Sequence, residues 1–61
     1  MNLSYRKRLE VAVEELSKSK AAIDWAKNNL RAYGFDPDAP EHAQKLCELA
    51  LQFARKMLKK P

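Results

Sequence analysis

The chain has 61 residues, with 12 Lys plus Arg against 8 Asp plus Glu and a net charge of +4, so it holds at most one small domain. Its only cysteine excludes an internal disulfide, and with a single histidine it leaves too few ligands of these types for a structural zinc site. No apolar run approaches the roughly 18 residues of a membrane span, and charges occupy the place of a signal peptide's apolar region, so we expect a soluble, cytoplasmic chain without metal or other cofactor.

The first predicted element is one long helix over residues 4–33. This segment is rich in Ala, Leu, Glu, Lys and Arg and contains no Gly or Pro. Large apolar residues recur every seven positions, and a second set lies between them at steps of three and four. The first set is Leu9, Leu16, Ile23 and Leu30, and the second is Tyr5, Ala12, Ser19, Ala26 and Tyr33. The pattern predicts a heptad seam in which both tyrosines pack at the edge of a core.

The loop over residues 34–39 is predicted from the only glycine and a nearby proline. Gly34 suits the left-handed position after a helix, with Phe35 next and Leu30 in the last helical turn, which is the arrangement of a Schellman motif. The second helix begins between Asp38 and Pro40. Either Asp38 is its N-cap, or Pro40 is its first residue and Ala39 the cap.

The second predicted helix covers residues 40–60 and has an apolar face too broad for contact with one helix alone. Its stripe is Ala43, Cys47, Ala50, Ala54 and Met57, flanked by Leu46, Leu49 and Phe53. A loop of about six residues makes the two helices antiparallel. The predicted fold is therefore an all-α, single-domain helical hairpin.

The two helices differ in length, since about 30 residues span about 45 Å whereas the second helix spans about 30 Å. The apolar residues near the start of the chain are then left without cover from the rest of it, namely Tyr5, Leu9, Val11, Ala12 and Val13. An exposed apolar patch of this kind marks an interaction surface. Pairing of two hairpins into a homodimeric four-helix bundle covers it and supplies the missing core.

The candidate interface residues are the apolar side chains of these uncovered faces. They are Tyr5, Leu9, Val13, Leu16, Trp25, Leu49 and Phe53. Trp25 lies outside the heptad seam and has two interpretations. It is an anchor for a partner, or it packs in the second layer of a bundle core.

Basic residues concentrate where the hairpin brings the two ends of the chain together. They are Arg6, Lys7, Arg8, Arg55, Lys56, Lys59 and Lys60. Cations in the last turn of a helix complement its dipole, but Arg6, Lys7 and Arg8 begin a helix and oppose it. Two interpretations remain: a surface for phosphate backbones or an acidic protein, and a solvated cluster without a ligand.

Catalytic chemistry is not indicated. Cys47 lies on the apolar stripe and is predicted to be buried and inert, and His42, five residues before it, lies on a poorly matched face. A glycine-rich phosphate loop is excluded because there is one glycine, and no small-molecule substrate is indicated.

Two functional hypotheses follow. The first is a dimeric helical adaptor, inhibitor or regulator that binds a protein partner through an apolar helix face. The second is a nucleic-acid-associated regulator that contacts the phosphate backbone through its basic end.

Overall fold

The computed structural model describes residues 4–59, and this range contains three α-helices and no strands. Helix α1 spans Tyr5–Ser17, α2 spans Lys20–Ala32 and α3 spans Ala43–Lys59, with a single 3₁₀ turn at Pro40–His42 leading into α3. Helix α3 packs against both α1 and α2, which contact each other little. The all-α class is confirmed. The prediction of two helices is wrong, because the first predicted helix is divided.

The division lies at Lys18 and Ser19. Ser19 has an extended backbone (φ −70°, ψ 157°), and its hydroxyl accepts a hydrogen bond of 3.2 Å from the backbone N–H of Ala22. A serine side chain that satisfies a free N–H at a helix start stabilises a new helix there instead of continuation of the old one. Ser4 caps α1 in the same way, accepting from the N–H of Lys7 at 3.1 Å.

The break changes how much of α1 is covered. Ala22 and Ala26 pack with Ala50. If residues 4–33 formed one straight helix antiparallel to α3, this pairing would place Lys59 near Glu15. Instead Lys59 shares a groove with Lys7, so α3 covers a stretch of chain that a straight helix would leave bare. The predicted lack of cover is therefore wrong for much of α1. Val13 is buried and Leu9 is half-buried, whereas Tyr5 and Val11 are exposed.

The core between α2 and α3 is built from small residues. Ala22, Ala26 and Ala50 form its centre, and larger side chains pack around them without being fully covered: Ile23, Trp25, Leu46, Leu49 and Phe53. Four of the six buried core residues in the described range are alanines, the other two being Val13 and Leu30. A core of this composition removes little apolar area from water.

The end of α2 confirms the predicted Schellman motif. The N–H of Phe35 donates to the carbonyl of Leu30 at 2.9 Å, and the N–H of Gly34 donates to that of Arg31 at 3.0 Å. Gly34 has φ of +84°, the left-handed conformation that L-residues adopt at a cost.

The loop that follows is held by Asp36. Its Oδ1 accepts from the backbone N–H of Asp38 at 3.0 Å, and its carbonyl oxygen lies 2.8 Å from Nδ1 of His42. The His42 ring meets Phe35 edge-on, with centroids 5.0 Å apart. Ala39 is the N-cap of the 3₁₀ turn that begins at Pro40, whereas the α-helix predicted to begin between Asp38 and Pro40 begins at Ala43.

Both tyrosines of the heptad pattern are about three-quarters exposed, so their predicted place at the core is wrong. Tyr5 is the first residue of α1 and Tyr33 is the C-cap of α2, and the break between these helices separates their faces. Within residues 4–59, none of the helices has the length and apolarity needed to cross a bilayer.

Candidate interaction groove between α1 and α3

An open groove of about 640 Å³ lies between α1 and the C-terminal half of α3. Its apolar lining, which we call the groove floor, consists of Leu9, Val11, Val13, Leu51 and Leu58. Val13 is buried, Leu9, Leu51 and Leu58 are half-buried, and Val11 is 44% exposed. A single copy of the chain thus provides walls for these side chains but leaves them partly in contact with water.

Charged side chains make up the rest of the lining. They are Lys7, Glu10, Glu14, Arg55 and Lys59, all exposed. Lys7 and Lys59 mark the end of the groove where α1 begins and α3 finishes, and Glu14 lies two helical turns further along α1. The groove is therefore basic at one end and acidic towards the other.

The predicted basic residues of the described range are all exposed, on the first turn of α1 and the last turns of α3, and three of them, Lys7, Arg55 and Lys59, line the groove together. We call the six the basic cluster: Arg6, Lys7, Arg8, Arg55, Lys56 and Lys59. Lys60, also predicted there, lies outside the described residues. Within residues 4–59 none of the cluster side chains forms an ion pair. The two ion pairs of this range lie elsewhere, with 2.9 Å between Lys20 Nζ and Asp24 Oδ2 and 3.9 Å between Lys27 Nζ and Asp38 Oδ1.

The ion pair between Lys20 and Asp24 also changes the pKa of Lys20. The hydrogen bond from Nζ to Asp24, together with the carboxylate's charge, raises the pKa of Lys20 above its ordinary value. Both side chains are mainly exposed and neither lines the groove, so the pair is a surface feature of α2.

The predicted interface residues separate into two places. Leu9 and Val13 line the groove, whereas Trp25, Leu49 and Phe53 pack against the alanine core of α2 and α3. Leu16 is half-buried and Tyr5 is exposed, and neither lines the groove.

Three residues of the groove floor, Val11, Leu51 and Leu58, were not predicted from the sequence to share one site. A signal was present, because Leu51 and Leu58 are seven residues apart and so share one helix face. Leu51 and Leu58 face α1 only if the first predicted helix breaks. A single straight helix therefore does not predict that they share a groove with Val11.

The chain's one cysteine and one histidine lie outside the groove. Cys47 is exposed, so its predicted burial is wrong: α3 directs Ala50 and Ala54 inwards, and Cys47 lies on an edge of α3 that the other described helices leave uncovered. His42 is engaged with Asp36 in the loop. In the part of the chain that the structure describes, no three His, Cys, Asp or Glu side chains are grouped in a way that could hold a metal ion.

Comparisons of the chain with models of known protein families, with curated proteins and with solved structures find no match. The groove, its apolar floor and the neighbouring basic cluster are the features that bear on function.

Proposed function

We propose that this chain is a small, non-enzymatic interaction module that pairs with a second copy and presents apolar helix surface to a protein partner, as an adaptor, inhibitor or regulator. One observation carries the proposal. The groove floor joins five apolar side chains from two helices, and in a single copy Val11 is exposed while Leu9, Leu51 and Leu58 are only half-buried. Contiguous exposed apolar surface between polar margins is typical of protein interaction sites.

The small core supports the same conclusion. Four of its six buried residues within 4–59 are alanines, and the larger side chains around it remain partly exposed. A core of this size in 61 residues supplies about 3–5 kcal/mol at most, and without a disulfide the usual further source of stability is another chain. In this proposal, pairing with a second copy stabilises the fold in addition to forming the interaction surface.

The side chains of the groove favour binding over catalysis. Among the residues that the structure describes, its lining has no His, Cys, Ser, Thr or Tyr and so lacks the pair of groups that activates a serine or cysteine nucleophile. Lys, Arg and Glu around an apolar floor are instead the composition of a polar rim around a contact surface.

Thermal unfolding at several chain concentrations tests the proposal. Since a dimer is stabilised by mass action, its unfolding midpoint rises with concentration. We expect this rise for the wild type and for Ala32→Lys, which adds a charge at an exposed position at the end of α2. Val11→Lys places the same charge on the groove floor and should abolish the rise. A concentration-independent midpoint for the wild type would contradict the proposal.

A second candidate function is contact with a nucleic-acid backbone, and the basic cluster favours it. Six exposed cations lie at one end of the molecule and have no ion-pair partner within residues 4–59. Such a cluster attracts phosphates without reading bases, so binding should weaken steeply between about 50 and 200 mM salt.

Fluorescence anisotropy with labelled duplex DNA and structured RNA tests this candidate. Replacing Arg6 and Arg8 by Ala should weaken binding and lower the slope of log affinity against log salt by up to about 1.8. Replacing Arg31 and Lys45 by Ala removes the same charge outside the cluster and should preserve the slope. Absence of binding by the wild type at about 50 mM salt would exclude this function.

A further inference from the structure

One stripe of α1 combines opposite charges around an exposed apolar residue. Lys7, Val11 and Glu14 follow one another at steps of four and three, which places them on the same face of the helix, and all three line the groove. Each is exposed, and Val11 is 44% exposed although it is apolar.

This stripe is complementary to itself in one orientation only. If two α1 helices lie antiparallel about a two-fold axis at Val11, Val11 meets Val11 and each Lys7 lies opposite Glu14 of the second copy. Arg8 and Glu15 flank the stripe on one side, and each Arg8 lies opposite Glu15 of the second copy. A parallel arrangement would place Lys7 beside Lys7 and Glu14 beside Glu14, which is repulsive.

We propose that a second copy of this chain docks antiparallel along the Lys7–Val11–Glu14 stripe of α1 and covers Val11, the exposed residue of the groove floor. This deepens the proposed function and rests on it, since it names the partner of the same groove. A second copy is favoured because the stripe has a positive charge on one side of Val11 and a negative charge on the other, so two antiparallel copies place opposite charges together. A purely acidic partner would match Lys7 but would be repelled by Glu14.

Charge reversal tests the arrangement. Lys7→Glu makes both charged positions of the stripe acidic, and Glu14→Lys makes both basic, so each variant replaces two attractions in its homodimer by two repulsions. We expect sedimentation to show homodimers of each variant weakened by about 10- to 30-fold. The Lys7→Glu, Glu14→Lys double variant restores both attractions with exchanged signs, and its affinity should return to that of the wild type.

A mixture of the two single variants gives the most specific result. In the mixed dimer the two acidic positions of the Lys7→Glu chain lie opposite the two basic positions of the Glu14→Lys chain, so both contacts are attractive. An equimolar mixture should therefore form heterodimers with near wild-type affinity while each variant alone stays weak. Arg31→Glu and Glu48→Lys reverse exposed charges outside the groove and serve as controls. Circular dichroism of each variant verifies that it is helical.

The outcomes distinguish this inference from the proposed function. Heterodimer preference in the mixture, with unaffected controls, supports antiparallel docking. A dimeric wild type whose affinity is unchanged by either single reversal overturns the docking geometry and leaves the proposed function standing. A wild type that is monomeric at all concentrations overturns both.

Discussion

Trp25 of α2 packs against Phe53 of α3, with ring centroids 5.6 Å apart and ring planes inclined at 41°. Both rings contact the core cluster of Ala22, Ala26 and Ala50, and both remain half-buried. Because alanine contributes little area, this aromatic pair supplies much of the apolar contact that holds α2 against α3.

Phe53→Ala should lower the free energy of unfolding by about 2–4 kcal/mol, through lost burial and loss of the aromatic contact. Phe53→Leu keeps most of the apolar volume and should cost less than about 1.5 kcal/mol. Urea unfolding followed by circular dichroism, at one fixed chain concentration, measures both. Equal stability of the two variants would show that Phe53 does not hold the helices together.

Ser19→Ala should lower stability by about 1 kcal/mol, because the backbone N–H of Ala22 loses its hydrogen-bond acceptor. Ser19→Asp preserves an acceptor and adds a favourable charge at the helix start, so it should be at least as stable as the wild type. The same urea experiment compares them. If Ser19→Ala were the more stable variant, α1 and α2 would be one continuous helix, since alanine is the better helix former.

Gly34→Ala should cost about 1–2 kcal/mol, the strain of placing an L-residue at φ of +84°. A Cβ at this position has no neighbouring atom within 4 Å, so the cost is conformational and includes no clash. Gly34→Asn should cost less, because asparagine tolerates this conformation better than alanine does. A shift of the thermal midpoint for Gly34→Ala no larger than for Gly34→Asn would contradict the Schellman geometry.

The end of α2 could be predicted from the sequence because local chemistry determines it. Gly34, with an apolar residue after it and another in the last turn, satisfies a motif whose geometry needs no other part of the chain. The 3₁₀ turn at Pro40 is determined locally in the same sense, since proline restricts its own φ and the conformation of the residue before it, whereas α3 itself begins three residues later at Ala43.

The break at Ser19 does not follow from the sequence pattern because two local preferences compete there. The heptad pattern runs through Ser19 without interruption, and Ala22 occupies the position where a capping box would have Glu or Gln. The gain from packing α1 onto α3 decides the competition, and that contact is between residues far apart in the sequence. Helix propensity and periodicity contain no information about it.

The composition of the groove cannot be predicted from the sequence for the same reason. Its floor takes Val11 from α1 and Leu58 from α3, and which residues meet depends on how the break turns α1 across α3. The sequence predicts exposed apolar surface on α1 but not its extent, since Val13 is buried against the chain's own residues.

The mass of the wild-type protein in solution is the most direct test of the central claim that one copy is an incomplete interaction unit. Sedimentation equilibrium from micromolar to millimolar chain concentration should show the apparent mass rising to twice the 7.0 kDa of a single chain. A mass that remains at 7.0 kDa over the whole range, for a protein that unfolds cooperatively, would contradict that claim.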